Sequence, residues 1–129
     1  MERNADEPAL RVVIADDHTM VRSGLRMLLE MEPDVVVVAE AGSVGATTAC
    51  LHEHAPDVLI LDVHLGAENG LDAMPALLDA SPATRVLVLT MQDDPAFARK
   101  ALRTGATGYV LKEAPRADLV AAVRAVARA

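Results

Sequence analysis

Three aspartates are the residues of this chain best suited to do chemistry. Asp16 and Asp17 follow the apolar run LRVVIA (10–15), and Asp62 follows DVLIL (57–61). No lysine or arginine stands within four residues of the pair. Carboxylates that share a crevice repel one another unless they are protonated or bridged by a cation. A donor set of oxygens with high charge suits a hard divalent ion, and Mg2+ in particular binds through one or two carboxylates plus water and phosphate oxygens. Two further runs end in a hydroxyl and an ammonium: Thr90 closes RVLVL (85–89) and Lys112 closes TGYVL (107–111). The chain has ten arginines and only two lysines, Lys100 and Lys112. A composition that favours arginine yet keeps a lysine here points to a need for a compact, rotatable charge.

The elements that must position these groups are legible as alternating patterns. Four of the runs above, together with VVVVAE (35–40), give five candidate strands, and most are nearly continuous apolar segments of the kind buried on both faces. Between them the spacing is helical. Val21, Leu25, Leu28 and Leu29 form one face, with Arg22, Arg26 and Glu30 assigned to the other. Leu71, Met74, Leu77 and Leu78 repeat that spacing, as do Leu119, Val123 and Val126. Residues 44–54 form the least patterned helix. Met20, Met27, Met31 and Met74 read as core filling, and Cys50 as a small buried hydrophobe.

Punctuation supports the same division. Pro33, Pro56 and Pro82 each follow a helical segment and precede a strand. Asp94-Pro95 reads as an N-cap with a first-turn proline, and Gly105 as a left-handed C-cap. Pro75 lies inside a helical pattern and is expected to kink or delay that helix. The sum is an α/β fold, a (βα)5 doubly wound parallel sheet with right-handed crossovers. In such sheets ligands bind beyond the carboxyl ends of the strands, where the winding direction reverses. With the flavodoxin-like strand order 2-1-3-4-5 the reversal falls between strands one and three, which end in Asp16-Asp17 and Asp62.

At 129 residues and 52% hydrophobic content the chain is one domain with room for a core, over 10–129, preceded by a polar segment (1–9) expected to be disordered. No apolar run approaches the length of a membrane span, and one cysteine excludes an internal disulfide framework. A net charge of −7 argues against this segment gripping nucleic acid itself. A soluble cytoplasmic domain is expected. Each rim residue has an ordinary explanation. A strand-end Asp favours turns, Thr90 suits a strand, Tyr109 is a half-buried strand aromatic, and Lys112 is a solvated edge charge. His18 and His64 raise a transition-metal alternative, which the oxygen-only neighbours disfavour. His52 and His54 do not share a helix face. The joint placement of acid pair, lone acid, hydroxyl and ammonium at four strand ends favours the functional reading.

The ordered segments VVIADDHTMVRSGLRMLLE, DVLILDVHLGAENG, VLVLTMQDD and ALRTGATGYVLKEA resemble the receiver domain of two-component response regulators. The resemblance spans about residues 10–127 and is nearest to receivers that precede a LuxR-type (NarL/FixJ-like) helix-turn-helix. It implies that Asp62 is the phosphoacceptor, that Asp17 binds Mg2+ directly and Asp16 through water, and that the main-chain carbonyl of His64 completes the protein ligands. Thr90 and Lys112 are implied to contact the phosphoryl group, and Tyr109 to reorient with it. Two departures stand out. Leu65 and Gly66 occupy the places where many receivers carry Met-Pro, which is expected to loosen the loop, and Glu113 stands where many carry proline after the lysine.

The implied partners are a sensor histidine kinase, a second copy of the chain on phosphorylation, and DNA through a C-terminal helix-turn-helix outside this sequence. The last helical segment, Pro115 to Ala129, has no Gly or Pro stop, which is expected of a receiver cut from a longer regulator. Rival readings fare worse. A haloacid-dehalogenase-type phosphatase is similar in forming an aspartyl phosphate, but its Asp-x-Asp ends strand one. A flavodoxin carries a hydroxyl-rich phosphate loop there. A phosphorylation-independent interaction module of the same fold is the alternative, and uptake of a phosphoryl group from a small donor separates the two.

Overall fold

The computed structural model describes residues 9–91 and 95–129. The expected alternation is present. β1 (Leu10–Ala15), α1 (Thr19–Glu30), β2 (Val35–Ala41), α2 (Val44–His54) and β3 (Val58–Asp62) lead to α3 (Gly70–Ala80), β4 (Arg85–Thr90), α4 (Pro95–Thr104), β5 (Gly108–Leu111) and α5 (Arg116–Arg128). The strands form one parallel sheet in the order β2-β1-β3-β4-β5. Alternate residues of each strand feed opposite layers, because side chains leave a strand on alternating faces. Val12, Ile14, Ile60, Leu87 and Leu89 pack with Leu29 of α1 and with Leu119, Val123 and Val126 of α5. Val13, Leu59, Leu61 and Val88 pack with Leu51 of α2, Leu71, Met74 and Leu77 of α3, and Ala101 of α4. Every residue of β3 is buried, as its unbroken apolar run requires of a strand covered on both faces.

The helix ends follow from local chemistry. Ser43 caps α2 through its hydroxyl, which accepts from the Ala46 N–H at 3.1 Å, and Ala55 closes that helix in the left-handed region (φ 42°) just before Pro56. Helix α2 is poorly patterned because the face it buries includes Thr47, whose hydroxyl bonds back to the Ser43 carbonyl at 2.7 Å. Asn69 caps α3 by accepting from the Leu71 and Asp72 N–H groups. Pro75 does not delay α3, which begins five residues before it. Gly105 follows α4 at φ 125°, and the Asp94 cap and residues 1–8 lie outside the described residues.

Two expectations are corrected. Of the four methionines read as core, only Met74 is buried, while Met20, Met27 and Met31 are exposed by 87%, 72% and 62%. Cys50 is half-buried rather than enclosed, with its sulfur 3.9 Å from the Glu40 carbonyl, and burial pushes its thiol pKa up. Arg22 and Arg26 of α1 are partly buried. Both lean across the edge of the sheet to Glu40, at 3.5 Å and 2.9 Å, because long stems reach sideways from a helix that packs beside an edge strand. No helix among the described residues is long and apolar enough to cross a membrane.

Candidate functional site

Strands β1 and β3 are neighbours that lead to helices on opposite faces, so the crevice between their carboxyl ends is where the fold leaves room. Asp16 and Asp62 sit there, 0% and 1% exposed. Asp17, half-buried, completes the cluster, and ligand atoms of Asp16, Asp17, His18 and Asp62 lie within 4.8 Å of one another. Each aspartate is held by main chain. The His18 N–H donates to Asp16 Oδ1 at 2.8 Å, the His64 N–H to Asp62 Oδ1 at 3.2 Å, and the Gly66 N–H to Asp17 Oδ2 at 3.0 Å.

Lys112 arrives from the end of β5. Its N–H donates to the Thr90 carbonyl at 2.8 Å, which ties the tips of β5 and β4 together. Its Nζ lies 2.7 Å from Asp62 Oδ2 and 3.4 Å from Asp16 Oδ2. Burial alone would depress the ammonium, but the two carboxylates outweigh it and hold the Lys112 pKa above its usual value. For Asp62 the balance runs the other way. Burial raises its carboxyl above the ordinary range, with Asp16 adding to the rise, against the opposing pull of Lys112 and the His64 N–H.

Two buried carboxylate oxygens among the described residues accept no hydrogen bond: Asp16 Oδ2 and Asp17 Oδ1. Lys112 Nζ lies 3.4 Å from Asp16 Oδ2, and His18 Nδ1 lies 2.9 Å from Asp17 Oδ1. Buried carboxylate oxygens with incomplete hydrogen bonding fit a hard cation as a further partner. His64 suits the same place through its main chain. Residues 64–65 pair with 68–69 in a short antiparallel ladder, and the Gly70 N–H donates to the Val63 carbonyl at 2.6 Å. His64 is thus at the non-hydrogen-bonded position of the ladder, and its N–H is turned to Asp62. Its imidazole is on an exposed residue and takes no part in the cluster.

The loop itself closes as a two-residue turn, Gly66-Ala67, with Gly66 at φ 66° where a side chain would be strained. Gly70 is required for another reason. A Cβ there would lie 2.5 Å from the Asp62 carbonyl oxygen and 3.3 Å from Val63 Cα. Thr90 is buried at the end of β4, and its neighbour Leu89 is in register with Asp62. Tyr109 is not brought to the acids. It lies earlier on β5, half-buried, with its ring centroid 6.4 Å from that of Phe97 on α4. One participant escaped sequence reasoning: Arg22 donates from Nη1 to the Asp16 carbonyl at 2.5 Å.

Comparisons with known proteins agree with this geometry. The model of the response regulator receiver domain matches residues 12–124. The oxygen regulatory protein NreC of Staphylococcus haemolyticus is 44% identical over 118 residues, covering 91% of this chain and 54% of the relative. A two-component response regulator of the LuxR family from Aurantimonas sp. superposes with a TM-score of 0.87 at 38% identity, covering 93% of this chain and 86% of that one. A response regulator protein from Burkholderia pseudomallei, solved with a phosphorylated aspartic acid, calcium ion and citrate, gives a TM-score of 0.79 at 27% identity over 92% of this chain and 68% of that one. The chain spans about half the length of the curated relatives it matches.

Proposed function

This chain belongs to the response regulator receiver domain family, and from that premise we propose that Asp62 accepts a phosphoryl group from the phosphohistidine of a sensor histidine kinase in the cytoplasm. The carrying observation is the Lys112 ammonium set between Asp62 and Asp16 at the ends of three strands. A carboxylate oxygen of Asp62 attacks phosphorus, a P–O bond forms, the P–N bond breaks, and the electron pair leaves on the donor imidazole. Lys112 stabilises the charge that gathers on the phosphoryl oxygens, and its compact head follows them without leaving Asp62. The His64 N–H keeps the carboxylate oriented. Asp16, Asp17, Asp62 and the His64 carbonyl would hold Mg2+, which when bound offsets carboxylate and phosphoryl charge.

The product is a signal, and its slow hydrolysis is the only turnover the site supports. Thr90 moves toward the new oxygens, Tyr109 fills the space it leaves, and the face formed by α4, β5 and α5 repacks. That face then pairs two copies and controls a helix-turn-helix that binds DNA, so the regulated process is transcription. The LuxR-family likeness supports this output.

The test is incubation with Mg2+ and a small acyl phosphate, followed by intact-mass measurement. Gain of one phosphoryl group, absent in Asp62→Asn, is expected. No gain in the parent would overturn the proposal in favour of a phosphorylation-independent interaction module.

A further inference from the structure

We propose that Arg22 is a positioning residue for the divalent-ion site, acting through the peptide that joins Asp16 to Asp17. The inference rests on the metal-dependent reading above. Asp16 is buried and directly follows the last residue of β1, and its two peptide groups are fixed from opposite sides. Its N–H donates to the Ala41 carbonyl at the end of β2, at 3.0 Å. Its carbonyl accepts from Arg22 Nη1 at 2.5 Å. That carbonyl belongs to the Asp16-Asp17 peptide, so its direction sets the directions in which the two carboxylates leave the chain. A charge-assisted bond to it resists rotation more strongly than a bond from a neutral donor.

The guanidinium has further neighbours, although its buried Nε makes no hydrogen bond among the described residues. Nη2 reaches Thr19 Oγ1 at 3.5 Å, Nε lies 3.5 Å from Glu40 Oε1, and Gly42 leaves the slot in which the planar group lies. A Cβ at Gly42 would meet Nη1 at 2.9 Å and the Asp16 carbonyl oxygen at 3.9 Å. Glu40 is kept in place by Arg26, whose Nη1 lies 2.9 Å from Oε2. The end of β2 thus provides a seat, one carboxylate and one missing side chain, for a cation that never touches the metal. Arg22 and Gly42 were unremarkable in the sequence because neither borders the acids within one segment.

The arrangement makes a specific forecast. Gly42→Ala displaces the guanidinium without touching any carboxylate, so it should reproduce the effect of removing Arg22. The probe is Mg2+ itself, titrated into the unphosphorylated protein and followed by NMR at the Asp16, Asp17 and Gly66 amides. Arg22→Gln and Gly42→Ala are each expected to weaken Mg2+ binding roughly tenfold, the lower end of what outer-shell partners contribute. The double variant Arg22→Ala/Gly42→Ala should bind no more weakly than Arg22→Ala alone, since the added methyl then meets an empty slot. Unchanged Mg2+ affinity in Gly42→Ala, or losses that add in the double variant, would overturn the proposal. So would a fall in Tm for Arg22→Gln with its Mg2+ affinity intact, which would mark a structural brace only. A parent that fails to bind Mg2+ would instead sink the metal-dependent reading, and this inference with it.

Discussion

The Lys112 ammonium lies 2.7 Å from Asp62 Oδ2, a contact made across 50 residues of chain by two strands that are not neighbours in the sheet. If any cation sufficed there, Lys112→Arg would be silent. The planar guanidinium cannot occupy the point between Asp62 and Asp16 that Nζ fills, although it still attracts phosphate. Modestly impaired loading with a small phosphodonor is expected, together with a larger loss of the Tyr109 response to a beryllofluoride mimic. Mass spectrometry reads the first and NMR the second, and parental behaviour in both would refute the assigned role.

Asp62→Asn should fold, take up no phosphoryl group, and be more stable than the parent in the absence of metal at neutral pH. Burial raises the Asp62 carboxyl in the folded state. A carboxyl raised on folding contributes stability in full below its unfolded pKa, and that contribution is lost as pH rises through the folded one. At pH 7 the parent therefore carries a cost that the variant lacks. Thermal melts in a chelator should show the variant a few degrees higher at neutral pH, with the gap closing as pH falls toward the ordinary Asp range. An equal or lower Tm at pH 7 would contradict the burial argument.

Asp17→Asn should weaken Mg2+ binding by roughly tenfold or more, since a charged ligand is exchanged for a neutral one. The amide oxygen can still accept from Gly66, so the turn should survive. Calorimetric titration with Mg2+ gives the affinity, and circular dichroism gives the fold. Equal affinity would remove Asp17 from the ligand set.

Gly70→Ala should cost about 1–3 kcal/mol, the range for overpacking. The atoms its Cβ meets, the Asp62 carbonyl oxygen and Val63 Cα, are main chain and cannot swing aside. Urea unfolding measures the loss, and a variant as stable as the parent would show that the loop relaxes freely.

The methionines separate surface from core. Met27→Gln should change stability by less than about 0.5 kcal/mol, as an exposed substitution does. Met74→Ala should cost about 2–5 kcal/mol by leaving a cavity beneath α3. Comparable losses in the two variants, measured by urea unfolding, would place Met27 back in the core.

The apolar runs of β1, β3 and β4, the helical spacing of Leu71, Met74 and Leu77, and the prolines before β2, β3 and β4 are properties of single segments. Burial on both faces and the α/β alternation follow from them directly, as does the placing of Asp16, Asp17, Asp62, Thr90 and Lys112 at strand ends. Periodicity is weaker evidence about a helix beside an edge strand. Met20, Met27 and Met31 share the apolar character of Leu29, but α1 has only β2's edge and one sheet face to cover, so they remain outside. Polar stems are ambiguous for the opposite reason. Arg22 is assigned by periodicity only to the other side of α1, and its contacts with Glu40 and its place beside Gly42 come from the packing of α1 against the end of β2. The bridge from Lys112 to Asp62 and Asp16, the main-chain donors on each aspartate and the close approach at Gly70 all depend on strand order and register. Those are fixed by the packing of the whole sheet, because contacts between segments 40 to 50 residues apart leave no periodic trace in either segment.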